Sequence, residues 1–201
     1  MTRLREWGAN EPELVKLRLD IDKAIAATAY LIQKAGGRFD VFVLMKTLSL
    51  ADRNALIKYG RTITGDKLVS MDKGPVVSNI YDLIKGKEIR GHPDALTKWK
   101  KYITERQSHL LRLRNNPELG FLSVREMEIL DEAFQTISKI PPYWLAEWMH
   151  LNFPEWKDPK GSSLEIDPVE ILKTARRSDE EIEVINEEIS SLNWVKAFLG
   201  S

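Results

Sequence analysis

The stretch Gly60-Arg-Thr-Ile-Thr-Gly65-Asp66-Lys67 nearly spells a phosphate-binding loop. Such a loop needs G-x-x-x-x-G-K-[ST], because its backbone N–H groups cradle phosphate, its lysine reaches the outer phosphates and its hydroxyl meets magnesium. Here an aspartate stands where the lysine belongs and Leu68 stands where the hydroxyl belongs. The context is also reversed: a helix is expected to end at Gly60 and a strand to begin near Lys67. The negative end of a helix would then face the loop, instead of the N–H groups that bind anions. Other chemistry is equally thin. The chain has no cysteine, so thiol nucleophiles, disulfides and Cys-based zinc sites are excluded. Its three histidines, His92, His109 and His150, stand in no metal-ligand spacing. There is no G-x-S-x-G elbow. His150, near Trp144, Trp148 and Trp156, reads as a core histidine bonded to backbone. The sequence therefore predicts no enzyme, no cofactor and no metal.

The loop reads instead as a shaped surface. Gly60 is a helix stop, Gly65-Asp66 a tight turn into a strand, and Gly74-Pro75 a turn from that strand into the next helix. Arg61, Asp66, Lys73, Asn79 and Asp82 then become candidates for touching a partner. The turns fix them, and nothing in the helical pattern asks for their burial. Arginine suits such a role because its planar fork pairs bidentately with carboxylates.

The elements that must position these residues are mostly helical. Ile21, Ala24, Ile25, Thr28, Leu31 and Ile32 recur at helical spacing after Asp20, and Gly36-Gly37 ends the run. Asp40 can cap a long second helix, with Val43, Leu44, Leu48, Ala51, Ala55 and Leu56 on one face and Gly60 as its stop. Lys67–Met71 is a short β-prone run, Ser78 to Lys85 a helix, and Ala95 to Gln107 a further helix with Trp99 and Ile103 inward. Leu110–Arg114 alternates apolar and basic residues as a half-buried strand does. Ser123-Val-Arg-Glu126 is a capping box opening a helix that Pro141-Pro142 stops. Tyr143 to His150 carries Trp144 and Trp148 on one face, and residues 152–163 form a linker. Asp167-Pro168 opens one more helix and Ser178 the last, with an apolar stripe at Ile182, Ile185, Ile189 and Leu192. The fold class is mainly α (α+β): a compact helical domain with a few short antiparallel strands, plus C-terminal helices. The expected organisation is an N-terminal extension over 1–19, a domain over 20–160 and a helical extension over 161–201 packed back on the body. The alternative for that last part is an oligomer- or partner-binding helix, the route to a homo-oligomer.

With 30 basic and 30 acidic side chains the formal net charge is zero, which argues against a dedicated nucleic-acid binder. The charge is nonetheless uneven. Lys85 to Arg114 holds nine Lys/Arg against three acids, and Glu165 to Glu188 nine acids against three bases. These are two solvated faces, or a tail that packs on the basic segment. A helix followed by a basic strand over 95–121, with Arg112 and Arg114 on one side, keeps a DNA-binding regulator open as an alternative. No recognition helix with base-reading side chains accompanies it. No signal-peptide core and no run near the roughly 20 apolar residues of a membrane span is present, so a cytoplasmic protein without a membrane partner is expected.

Several segments together resemble the SocA-like antitoxins, also called the Panacea domain. They are Ala24-Ile25 with Tyr30-Leu31-Ile32, Lys46…Leu50-Ala51-Asp52-Arg53, Tyr59-Gly60-Arg61-Thr62-Ile63-Thr64-Gly65-Asp66 and Met71…Gly74-Pro75-Val76…Ser78…Tyr81-Asp82-Leu83. Leu122-Ser123…Glu126…Ile129-Leu130-Asp131, Trp144-Leu145 and His150…Trp156 continue the likeness. Ser49 stands where the family usually has an aromatic, and Thr62 and Val77 where it usually has proline. The resemblance implies an intracellular antitoxin, commonly encoded beside its toxin, often in phages or prophages. It implies neutralisation by direct protein–protein binding. The alternative mode is that of an adaptor delivering the toxin to a AAA+ protease.

Overall fold

The computed structural model describes residues 16–198, so most of the expected 1–19 extension lies outside the described residues. Eight α-helices and five short strands are present among them: α1 Ile21–Lys34, β1 Arg38–Asp40, α2 Val41–Tyr59, β2 Leu68–Ser70, β3 Val76–Val77, α3 Ser78–Ile84, α4 Ala95–Tyr102, β4 Leu110–Arg112, α5 Val124–Ser138, α6 Leu145–Asn152, β5 Leu164–Glu165, α7 Pro168–Thr174 and α8 Asp179–Phe198. The protein is mainly α with a small β component.

Local capping chemistry sets the ends of the long helices. The Lys23 N–H donates to Asp20 Oδ1 (3.1 Å) and the Val43 N–H to Asp40 Oδ1 (3.1 Å), starting α1 and α2. Gly60 ends α2 in the left-handed conformation (φ 70°), its N–H on Leu56 O at 2.9 Å. The Ser123–Glu126 capping box starts α5. Pro168 occupies the first turn of α7 behind the Asp167 cap.

Helix α2 is the axis of the core. Leu44, Met45, Leu48, Ala51 and Leu56 are all but inaccessible. The buried faces of α1 (Ala24, Ile25, Leu31, Ile32), α5 (Ile129, Leu130, Ala133, Ile137) and α7 (Val169, Ile171, Leu172) join them in one cluster. Each such buried Leu or Ile contributes about 2 kcal/mol over an exposed one. Two small antiparallel sheets flank the helices. One pairs β1 with β4 in the register Arg38↔Arg112, Phe39↔Leu111, Asp40↔Leu110. The other has the order β3-β2-β5, pairing Leu68 with Val77 and Val69 with Glu165.

Three elements differ from the sequence reading. Helix α4 stops at Tyr102 instead of Gln107, because Ile103 turns extended and bridges Leu113, forming a hairpin with β4. Residues 152–163 are no free linker: Phe153 and Glu155 are buried, the Trp156 indole N–H donates to Met71 O (3.0 Å) and the Gly161 N–H to Asp72 Oδ1 (3.1 Å). Among the described residues the acidic tail makes no ion pair with the basic segment; its acids pair with Lys67, Lys157 and Arg177. Helix α7 lies on α2, and Arg177 Nη2 donates to Ile57 O at 2.7 Å, satisfying a carbonyl near the end of α2. No helix of the described residues is long and apolar enough to cross a membrane.

Candidate interaction surface

One side of α2 presents Lys46, Ser49, Asp52 and Arg53, and each of them fixes a loop. Lys46 is 1% exposed, and its Nζ donates to Pro75 O at 2.9 Å. Ser49 Oγ donates to Met45 O (2.8 Å) and also lies 3.3 Å from Pro75 O. The ammonium sits 5.3 Å from the Phe42 ring centre, and among the described ion pairs none involves it. Burial, followed by the nearby charge of Lys73, lowers its pKa from the usual 10.5 to about 7. Gly74 closes the lid over it. With φ 89°, a Cβ at that position would stand 2.8 Å from Met149 Cβ and 3.4 Å from Lys46 Nζ.

Asp52 holds the loop after α2. It is fully buried and accepts from the Ile63 N–H (2.9 Å), the Thr64 N–H (3.0 Å) and Thr64 Oγ1. Desolvation raises its pKa to about 7; the bonds from Thr64 oppose that shift and the charge of Asp66 adds to it. Arg53 forks onto buried Glu155, at 2.5 Å through Nε and 3.2 Å through Nη2. That pairing ties α2 to the segment after α6.

The five candidate contact residues separate into two groups. Asp66 is a correction. It has no accessible surface, so it is not placed to touch a partner. Its carboxylate accepts from the N–H groups of Lys67 (2.8 Å), Asn79 (3.0 Å) and Ile80 (2.9 Å), and from Asn79 Nδ2 (2.8 Å). Helix α3 has no side-chain cap at Val77, and Asp66 supplies that cap from across the loop. Burial raises its pKa to about 6 against the pull of these bonds. Asn79 is half-buried as its partner. Asp82, half-exposed, pairs with Lys85 at 2.6 Å and Lys87 at 3.6 Å. Arg61 and Lys73 are exposed and belong to no ion pair among the described residues. Arg61 lines a groove of about 210 Å³ between Tyr59 and Arg125 on one side and Glu188, Ile189 and Leu192 of α8 on the other.

The remaining chemistry is dispersed. Among the described residues no group of three acids or histidines is placed to hold a metal ion. His150 stacks on Trp156 with ring centres 3.9 Å apart, and its buried Nε2 meets no protein partner among the described residues, so it is not bonded to backbone there. Trp144 is 48% exposed whereas Trp148 packs against the core, so the two do not form one patch.

Against known families, the model of the SocA-like antitoxins, Panacea domain, matches residues 44–157. The chain belongs to this family. Comparison with curated proteins and with solved structures returns no match. An antitoxin role follows from the membership in general terms. In this SocA-like antitoxin the matched segment holds Lys46, Asp52, both turns and Glu155, while α1, β1, α7 and α8 fall outside it. In the sequence Lys46, Asp52 and Arg53 stand out only within the family likeness. Their spacing, with Ser49, of three, three and one places them along one side of α2, and that was the available signal.

The three buried charges give the stability a distinctive pH profile. Between about pH 4 and pH 6 the folded chain keeps protons on Asp52 and Asp66 that the unfolded chain has lost, so their contribution falls as pH rises. Between about pH 7 and pH 10 the unfolded chain keeps a proton on lysine that folded Lys46 has lost, so stability rises again. Urea midpoints at about pH 4, 7 and 9 are expected to show the minimum at the middle value. Lys46→Met is expected to remove the alkaline rise and to cost less than about 1 kcal/mol at neutral pH, because a buried charge is exchanged for a similar apolar chain. Ser49 still reaches Pro75 O. An unchanged alkaline limb in the variant would assign that limb to other groups.

Proposed function

We propose that this protein is the antitoxin of a toxin–antitoxin pair and that it neutralises its toxin by direct binding, with no chemistry of its own. One observation carries the reading. Buried Lys46, Asp52 and Asp66 are all committed to fixing two surface turns, while Arg61 and Lys73 on those turns stay exposed and without an ion-pair partner. A surface held rigid before binding loses less entropy when it binds. Asn79 and Asp82, half-exposed on α3, complete the proposed contact face.

The test is co-expression with the adjacent reading frame, followed by pull-down of the tagged full chain. The expected result is a neighbour that is toxic alone, harmless with this protein and co-purified with it. Arg61→Glu/Lys73→Glu is expected to weaken that complex between about tenfold and 100-fold while the variant keeps its helical circular dichroism and a cooperative urea transition. Rescue of growth without a complex, together with a shortened toxin half-life, would replace direct binding by delivery to a AAA+ protease. A neighbour neither toxic nor bound would remove the reading.

A further inference from the structure

The outward face of the β1–β4 ribbon sets arginines against each other. Arg38 and Arg112 are direct cross-strand partners. Alternation buries Phe39 and Leu111 and turns both arginines to the exposed face. Arg114, also exposed, follows two residues after Arg112 and so keeps the same side. The strand folding back alongside places half-buried Thr104 and Tyr102 as neighbours. The Thr104 N–H donates to Arg112 O (3.0 Å) and the Arg114 N–H to Tyr102 O (2.8 Å).

Like charges directly opposite one another weaken a strand pair. Four of the five lysines of this basic region are relieved by the protein's own acids: Lys85 and Lys87 by Asp82, Lys98 by Asp22, Lys100 by Glu105; exposed Lys101 lies over the Tyr102 ring instead. Arg38, Arg112 and Arg114 enter no ion pair among the described residues. Asp40 shares their face, but its carboxylate caps α2 and its near cation is His109, at 4.0 Å. A groove of about 410 Å³ runs between the end of α3 at Leu83 and Lys85 and the hairpin at Thr104 and Arg106.

We propose that this arginine ribbon docks an acidic patch of a partner protein, the toxin of the preceding section, and the inference rests on that reading. Guanidinium forks match carboxylates bidentately and keep their charge when desolvated. A protein fits better than a nucleic acid. Four of the five lysines nearby are paired with acids and the whole chain carries no net charge, so the unpaired charge falls short of the long positive track that counterion release along a phosphate backbone requires.

The experiment compares the full chain with Arg38→Gln/Arg112→Gln/Arg114→Gln, using the toxin encoded beside it as the probe, at about 50 mM and about 500 mM salt. The expected result pairs two opposite changes. Removing the opposed charges raises the thermal midpoint by a few degrees, while toxin affinity falls about 100-fold at low salt and about tenfold at high salt, mostly in the association rate. A merely structural ribbon would not give higher stability with weaker binding. Wild-type affinity in the glutamine variant would overturn the inference and leave direct binding standing. Absence of a wild-type complex would overturn both. A short single-stranded oligonucleotide serves as the competing probe. If the wild type binds it with steep salt dependence, and the variant loses that binding but keeps the toxin, the face belongs to nucleic acid and the inference fails.

Discussion

Asp52→Ala is expected to lower the unfolding free energy by about 4 kcal/mol, enough to unfold much of a marginal domain. The carboxylate is the acceptor for the Ile63 N–H, the Thr64 N–H and the Thr64 hydroxyl, and it is wholly enclosed. An alanine leaves these donors without partners where water does not reach, at about 1–3 kcal/mol for each buried group left unmet. Relief of the carboxylate's own desolvation returns part of that. Asp52→Asn separates the two contributions. Its carbonyl oxygen can still accept the backbone N–H groups, and its amide can donate to the Thr64 hydroxyl, which is acceptor as well as donor. The asparagine variant is therefore expected to lose less than about 1.5 kcal/mol and to flatten the acidic limb of the pH profile. Urea unfolding followed by tryptophan fluorescence measures both. Equal losses for alanine and asparagine would mean that the charge, and not the hydrogen-bond count, anchors the loop.

Gly65→Ala is the second large effect, at about 3 kcal/mol or more. Gly65 has φ 67°, which costs an alanine about 1 kcal/mol by itself. The greater part is steric: a Cβ there would stand 1.9 Å from Arg18 O, a backbone atom that cannot swing away. Residues 18–20 must then lift off the loop, breaking the Asp20 N–H bond to Thr64 O (2.8 Å) that holds the entry to α1. Gly36→Ala is the control. It has φ 81° and nothing within 4 Å of the new Cβ, so it is expected to lose only the conformational part, about 1 kcal/mol. Limited trypsin digestion gives a local readout: cleavage after Arg18 is expected to accelerate in Gly65→Ala and not in Gly36→Ala. Matching behaviour of the two variants would show that the Arg18 backbone yields to the added methyl.

The features legible in the chain alone are local or compositional. Asp20, Asp40, Gly60, Ser123 with Glu126, and Asp167-Pro168 mark helix ends because a cap's partners lie within four residues of it. The near-miss at Gly60–Lys67 excluded a phosphate loop, and the spaced residues from Lys46 to Leu83 pointed to the antitoxin family. Contacts made across the chain emerge only in the folded molecule. Asp66 reads as a turn residue placed to touch a partner, yet it caps a helix beginning twelve positions later, and the one local hint is that Val77 cannot cap α3 itself. Lys46 reads as an ordinary helix lysine until Gly74, Pro75 and Met149 close over it and remove its water. Arg38 and Arg112 are harmless apart in sequence and become opposed only when β1 meets β4. In each case the local pattern specifies which way a side chain leaves its own element. Desolvation, and the electrostatics that follow from it, depend on which distant backbone arrives above that side chain, and packing of the whole core chooses that backbone.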